Sequence, residues 1–130
     1  MMYLAATPLT DREYFELAHS VLSGIEATTD SWLQNDVIDI DTHRTGGMLE
    51  LIFPNGSKIV LNTQPPLKEL WLAARSGGVH FKYVAPRCWL DTRGGRDLYE
   101  TLSACASEQA EQKLQFKATN DPRETPLHSE

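Results

Sequence analysis

Between residues 37 and 91 the chain is a series of short alternating runs, each cut off by a turn signal. The punctuation is Gly46-Gly47, Pro54-Asn55-Gly56-Ser57, Pro65-Pro66, Gly77-Gly78 and Ala85-Pro86. Apolar side chains recur at every second position between these breaks, the period of a half-buried strand. In the first run Ile38 and Ile40 point one way, while Asp39, Asp41 and His43 point the other. The runs 37–44, 48–53, 58–63, 70–74, 79–84 and 88–91 therefore predict about six strands joined by hairpins in sequence. Pro65-Pro66 has no donor to give a ladder and closes the third run.

The period changes on both sides of this region. Thr10 and Glu13 have the spacing of a capping box, with Leu9 and Tyr14 placed as its hydrophobic staple. Tyr14, Leu17, Ala18, Val21, Leu22 and Ile25 then recur at helical spacing, predicting a helix over 11–29 that Gly24 weakens without ending. Glu16, His19, Glu26 and Asp30 project from roughly the opposite side. A second helix is expected from 96 or 97 to 109, with Leu98, Leu102, Cys105 and Ala106 as its inward stripe. Residues 113–116 read as a short extended piece packing back on the domain. Hairpins in series cannot bury both faces of their sheet, and two amphipathic helices cover one of them. The predicted architecture is a two-layer α+β sandwich: an antiparallel sheet of about six strands, flanked on one face by N- and C-terminal helices. The expected domain spans 10–116, with a short leader over 1–9 and a disordered tail over 117–130.

A chain of 130 residues is one domain, and no run approaches the roughly 20 apolar residues of a membrane span. The first residues lack the basic and apolar regions of a secretory signal. Two cysteines, Cys88 and Cys105, make neither a disulfide framework nor a four-ligand zinc site. A cytoplasmic protein with reduced thiols is expected. The net charge of -6 disfavours a nucleic-acid-binding surface. All of that excess lies before Met48. Asp11, Glu13, Glu16, Glu26, Asp30, Asp36, Asp39 and Asp41 face only Arg12 and Arg44 there, and the remainder of the chain is balanced.

Glu16, Glu26 and Asp30 on the helix, with Asp36, Asp39 and Asp41 in the loop and first strand, can share one edge. Carboxylates are hard ligands suited to hydrated Fe, Mn, Mg or Ca ions. The spacing matches no EF-hand or His-x-x-x-His pair, so such a row would bind cations loosely and exchangeably. A solvated charged face explains the same residues. A second constellation is Asn62, Gln64, Trp71, Ala73 and Arg75, which strand alternation assigns to the uncovered sheet face. An outward Trp with amides and an Arg is the residue mix of a binding hot spot, and a Trp covered by a loop is the alternative. The glycine pairs fit no phosphate loop, and no nucleophile signature stands out.

The stretch Pro54-Asn55-Gly56-Ser57-Lys58-Ile59-Val60-Leu61-Asn62-Thr63-Gln64-Pro65-Pro66-Leu67-Lys68-Glu69-Leu70-Trp71-Leu72-Ala73-Ala74 closely resembles the central block of the bacterial frataxin family. The resemblance continues through Ser76-Gly77-Gly78-Val79-His80-Phe81 and Trp89-Leu90-Asp91-Thr92-Arg93, and covers roughly residues 10–116. It implies two helices packed on an antiparallel sheet. It implies weak binding of iron, as Fe2+ or Fe3+, through an acidic ridge on the first helix and first strand. It also implies association with the cysteine desulfurase and the scaffold protein of iron–sulfur cluster assembly, modulating their rate. Glu26, Asp30, Asp39 and Asp41 fall where the family carries acids. Ala27 and Ser31 stand where it often has more, and about two residues are inserted before Asp39, so the ridge is thinner. Glu16 and Asp36 join the metal-ligand set from geometry. Asn62, Gln64 and Trp71 match exposed sheet residues that contact the assembly machinery, and Arg75 is a further partner-binding assignment. The expectation is a mainly monomeric binding protein, with iron-driven oligomers and a ferroxidase or iron-storage activity as the alternatives.

Overall fold

The computed structural model describes residues 5–118, so residues 1–4 and 119–130, with most of the expected tail and His128, lie outside it. Helix α1 spans Asp11–Gln34. Six strands follow: β1 (Asp41–Thr45), β2 (Met48–Ile52), β3 (Lys58–Gln64), β4 (Glu69–Ala74), β5 (Gly77–Val84) and β6 (Cys88–Asp91). Helix α2 (Leu98–Ala110) closes the order. The strands form one sheet in sequence order, with every neighbouring pair antiparallel. This is the two-layer α+β sandwich read from the periodicity.

The core lies between the helices and one sheet face. Ala18, Leu22 and Ile25 of α1 and Leu98, Leu102 and Ala106 of α2 are buried with Leu49, Leu51, Ile59, Leu61, Leu70, Leu72 and Phe81 of the strands. Each fully buried Leu or Phe side chain contributes about 1.5–3 kcal/mol. The capping box at Thr10 and Glu13 forms as read, with both reciprocal hydrogen bonds present. Tyr14, one turn in, ties the helix to the sheet. Its hydroxyl donates to the Glu69 carbonyl at 2.7 Å and accepts the Gln64 N–H at 3.0 Å.

Helix α1 runs past the expected end at 29, and packing explains why. Thr29 is buried and donates its hydroxyl to the Glu26 carbonyl. Trp32, one turn on, packs against Phe116 at a ring-centroid distance of 4.8 Å, which extends the apolar stripe. The helix stops at Asn35, whose N–H and side-chain amide both bond the Ser31 carbonyl, and Asp36 turns the chain with a φ of 57°. Strand β1 starts at Asp41, later than the expected 37, because its partner ends. Asp41 pairs with Ile52, and Phe53 already leads into the turn at Pro54. Gly77-Gly78 is likewise not the turn between β4 and β5. Gly77 pairs with Ala74, so Arg75 and Ser76 make the two-residue connection.

The 113–116 piece packs back without becoming a strand. Leu114 and Phe116 are buried, and their N–H groups donate to the hydroxyls of Ser107 and Ser103 on α2 at 2.9 Å and 2.8 Å. One helical turn and two extended residues advance by similar lengths, about 5.4 Å and 6.6 Å, so hydroxyls four apart serve alternate amides. In the expected leader, Thr7 donates its N–H to Tyr83 O and accepts the Ala85 N–H on its hydroxyl.

Candidate functional site

The acids divide by whether a cation already holds them. Arg44 sits on β1 with its side chain on the helix-facing side, between exposed His43 and Thr45. From there it reaches α1. Its Nη1 meets Glu26 Oε1 at 2.6 Å, and its Nη2 lies 3.0 Å from His19 Nδ1. Both partners of the Arg44–Glu26 pair are mostly shielded from solvent, with 24% and 29% of their side chains exposed. A guanidinium can only donate, so His19 Nδ1 accepts and the ring is neutral. Burial, and then the Arg44 charge, hold the His19 pKa below its ordinary value. Glu16 pairs with Arg12 at 3.4 Å and lies about 15 Å along the helix from Glu26.

Asp30, Asp36, Asp39 and Asp41 are exposed, and their carboxylates have no hydrogen-bonded or ionic partner among the described residues. Asp30 is in the penultimate turn of α1, Asp36 follows the helix cap, and Asp39 and Asp41 flank buried Ile40. Asp39 therefore stands in the connection before β1, not on the strand. Among the described residues, no three His, Cys, Asp or Glu side chains converge into a group that could hold a metal ion. What the fold offers is a series of solvated carboxylates at the end of α1 and the start of β1. Such groups attract a hydrated cation electrostatically without a preformed cage.

The uncovered sheet face carries the second group. Met48, Asn62, Trp71 and His80 stand side by side on β2 to β5, in register across four strands. Gln64 lies one step further along β3, opposite Glu69. Trp71 stacks on His80 with ring centroids 3.9 Å apart and planes 4° from parallel, and donates its indole N–H to Glu69 Oε1 at 2.8 Å. Arg75 is not on this face as alternation implied. It sits in the β4–β5 turn, where its backbone N–H is held by Gln109 Oε1 at 2.9 Å. A surface cavity of about 570 Å³ beside α2, bordered by Cys88, Asp97 and Tyr99, includes none of the candidate residues.

Sequence reasoning missed Arg44, Glu69, His80 and Gln109. Arg44 was findable: alternation puts it on the same side as Ile38 and Ile40, an inward cation beneath a helix that carries Glu26. The Glu69–Trp71–His80 assembly needs the register of a turn at 75–76, which the glycine pair at 77–78 obscures.

A family model for a frataxin-like domain matches residues 7–112. The chain belongs to the frataxin-like family. One relative of this frataxin-like chain, from Cupriavidus pinatubonensis, is named iron-sulfur cluster assembly protein CyaY. It is 48% identical over 109 residues, covering 84% of this chain and 97% of the relative. Among solved structures, a frataxin from Psychromonas ingrahamii superposes with a TM-score of 0.73 at 30% identity, covering 84% of this chain and 99% of that one. A trimeric frataxin from the yeast Saccharomyces cerevisiae, solved in a ferrous complex, matches at a TM-score of 0.51 and 25% identity, covering 84% and 91%. Among the described residues of this frataxin-like chain, no helix is long and apolar enough to cross a membrane.

Proposed function

We propose that this frataxin-like chain is a cytoplasmic iron-binding regulator of iron–sulfur cluster assembly, a binding protein and not a catalyst. Iron, as Fe2+ or Fe3+, is its weakly held cargo. Asp30, Asp36, Asp39 and Asp41 bind it first. Glu26 joins only when Arg44 releases it, and Glu16 contributes field more than coordination. The cysteine desulfurase and the scaffold protein are the partners, met through Asn62, Gln64 and Trp71 on the open face, with Arg75 at the rim. Two supports come from relatives: one is named for iron-sulfur cluster assembly, and a yeast frataxin is known in a ferrous complex.

The single observation that carries the reading is the set of four exposed carboxylates, without partners among the described residues, gathered in sequence between 30 and 41. Spare negative charge of this kind binds a metal ion or a basic protein surface, and both draw on the same oxygens. Iron loading would then tune attachment to the desulfurase. A pull-down from lysate tests the division of labour, using the double change Asp39→Asn and Asp41→Asn and, separately, Trp71→Ala. Each change should deplete the desulfurase or scaffold band, and undiminished bands with both variants would contradict the assignment. Oxygen uptake on adding Fe2+ separates binding from a ferroxidase: a binder leaves the uncatalysed rate unchanged.

A further inference from the structure

Trp71 is held on the open face by two neighbours that the proposed roles do not use. Glu69, two residues back on the same strand and face, accepts the indole N–H at 2.8 Å. His80, the register partner of Trp71 on β5, covers one face of the indole at 3.9 Å. His80 Nδ1 also stands 4.0 Å from the same Glu69 Oε1, so one carboxylate oxygen faces both rings. Asn62 flanks Trp71 in register on the other side. An aromatic side chain on an open sheet ordinarily exchanges rotamers, and a partner that uses it must freeze it. Here the freezing precedes any partner. The indole N–H is the only polar hydrogen on the side chain, and Glu69 already takes it. What remains for contact is ring carbon.

We propose that Glu69 and His80 are positioning residues that hold Trp71 as a preorganised anchor, presenting its ring carbons to an apolar or aromatic side chain of the partner while its donor stays committed within the chain. This rests on the reading of the open face as the surface for the assembly machinery. The full chain, titrated calorimetrically into the desulfurase–scaffold complex, tests it with the variants W71A, E69A, E69Q and H80A. W71A should lose most of the affinity. E69A and H80A should each weaken binding by about 3- to 10-fold, the range expected from freezing one rotamer-rich side chain. E69Q, whose amide oxygen still accepts the indole hydrogen, should restore it. In the W71A background, adding E69A should change nothing further.

The Trp71 indole N–H resonance, assigned by its absence in W71A, gives a readout that loss of general stability does not mimic. It should move upfield and lose order in E69A but not in E69Q. If W71A weakens binding while E69A and H80A bind as wild type, or if the indole resonance is unmoved in E69A, the positioning role is overturned alone. If W71A itself binds as wild type, the surface reading fails and the positioning role falls with it.

Discussion

The guanidinium of Arg44 meets the carboxylate of Glu26 at 2.6 Å across the gap between β1 and α1, so the chain itself neutralises one of the acids proposed as metal ligands. The same guanidinium lies 3.0 Å from His19 Nδ1, and its buried Nε finds no acceptor among the described residues. Arg44 thus clasps helix to sheet and also occupies a carboxylate that is proposed as a cation ligand.

Replacing Arg44 with Met separates those two roles. Stability should fall by about 1–2 kcal/mol, the value of a shielded charge-assisted contact. Affinity for a divalent cation should rise, because Glu26 is released and the net charge becomes one unit more negative. Urea unfolding reads the first effect and a metal titration reads the second. Unchanged cation affinity would show that Glu26 lies off the binding path.

His19 makes the clasp sensitive to acid. Its pKa is lowered in the folded state by burial and by Arg44, so the unfolded chain takes up the proton first as pH falls. The contribution of His19 is complete above its ordinary value of 6.5, and stability declines as pH drops from there toward the lower folded value. A His19→Gln variant should lose this component of the pH dependence below pH 6.5. Urea midpoints for both proteins across that range check it, and parallel curves would rule it out.

Gln109 is fully buried and ties α2 to two other segments, residues 55–58 and the turn at Arg75. Its side chain donates to the Ser57 hydroxyl and the Lys58 carbonyl and accepts the Arg75 N–H, while its own carbonyl accepts from Asn55 Nδ2. Gln109→Leu leaves the Arg75 donor and the Lys58 acceptor without their side-chain partner and should cost about 2–4 kcal/mol. Amide exchange should quicken at Arg75 and in the 54–57 turn, with Trp71 unaffected. A loss below about 1 kcal/mol would mean that water replaces the amide.

The layer order was legible because it depends on local periods: Tyr14 to Ile25 for α1, and alternation such as Ile59 and Leu61 for the strands. What escaped depends on contacts between elements. The last turn and more of α1 exists because Trp32 finds Phe116, 84 positions downstream in a segment with little periodicity of its own. β1 is shorter than its alternating pattern because its partner β2 ends at Ile52. The candidate acids were all visible as residues, yet nothing local distinguishes Glu26, which Arg44 occupies, from Asp39 and Asp41, which have no partner among the described residues. That distinction needs the distance across the helix–sheet gap.

Anaerobic titration of the 15N-labelled chain with Fe2+, followed by loss of amide signals, bears most directly on the claim that open carboxylates around the α1–β1 connection hold iron. Paramagnetic broadening should begin at residues 36–41 and the last turns of α1, spare the Trp71 face, and disappear from 39–41 when Asp39 and Asp41 are both Asn. Broadening spread evenly over the surface, or unchanged in that double variant, would contradict it.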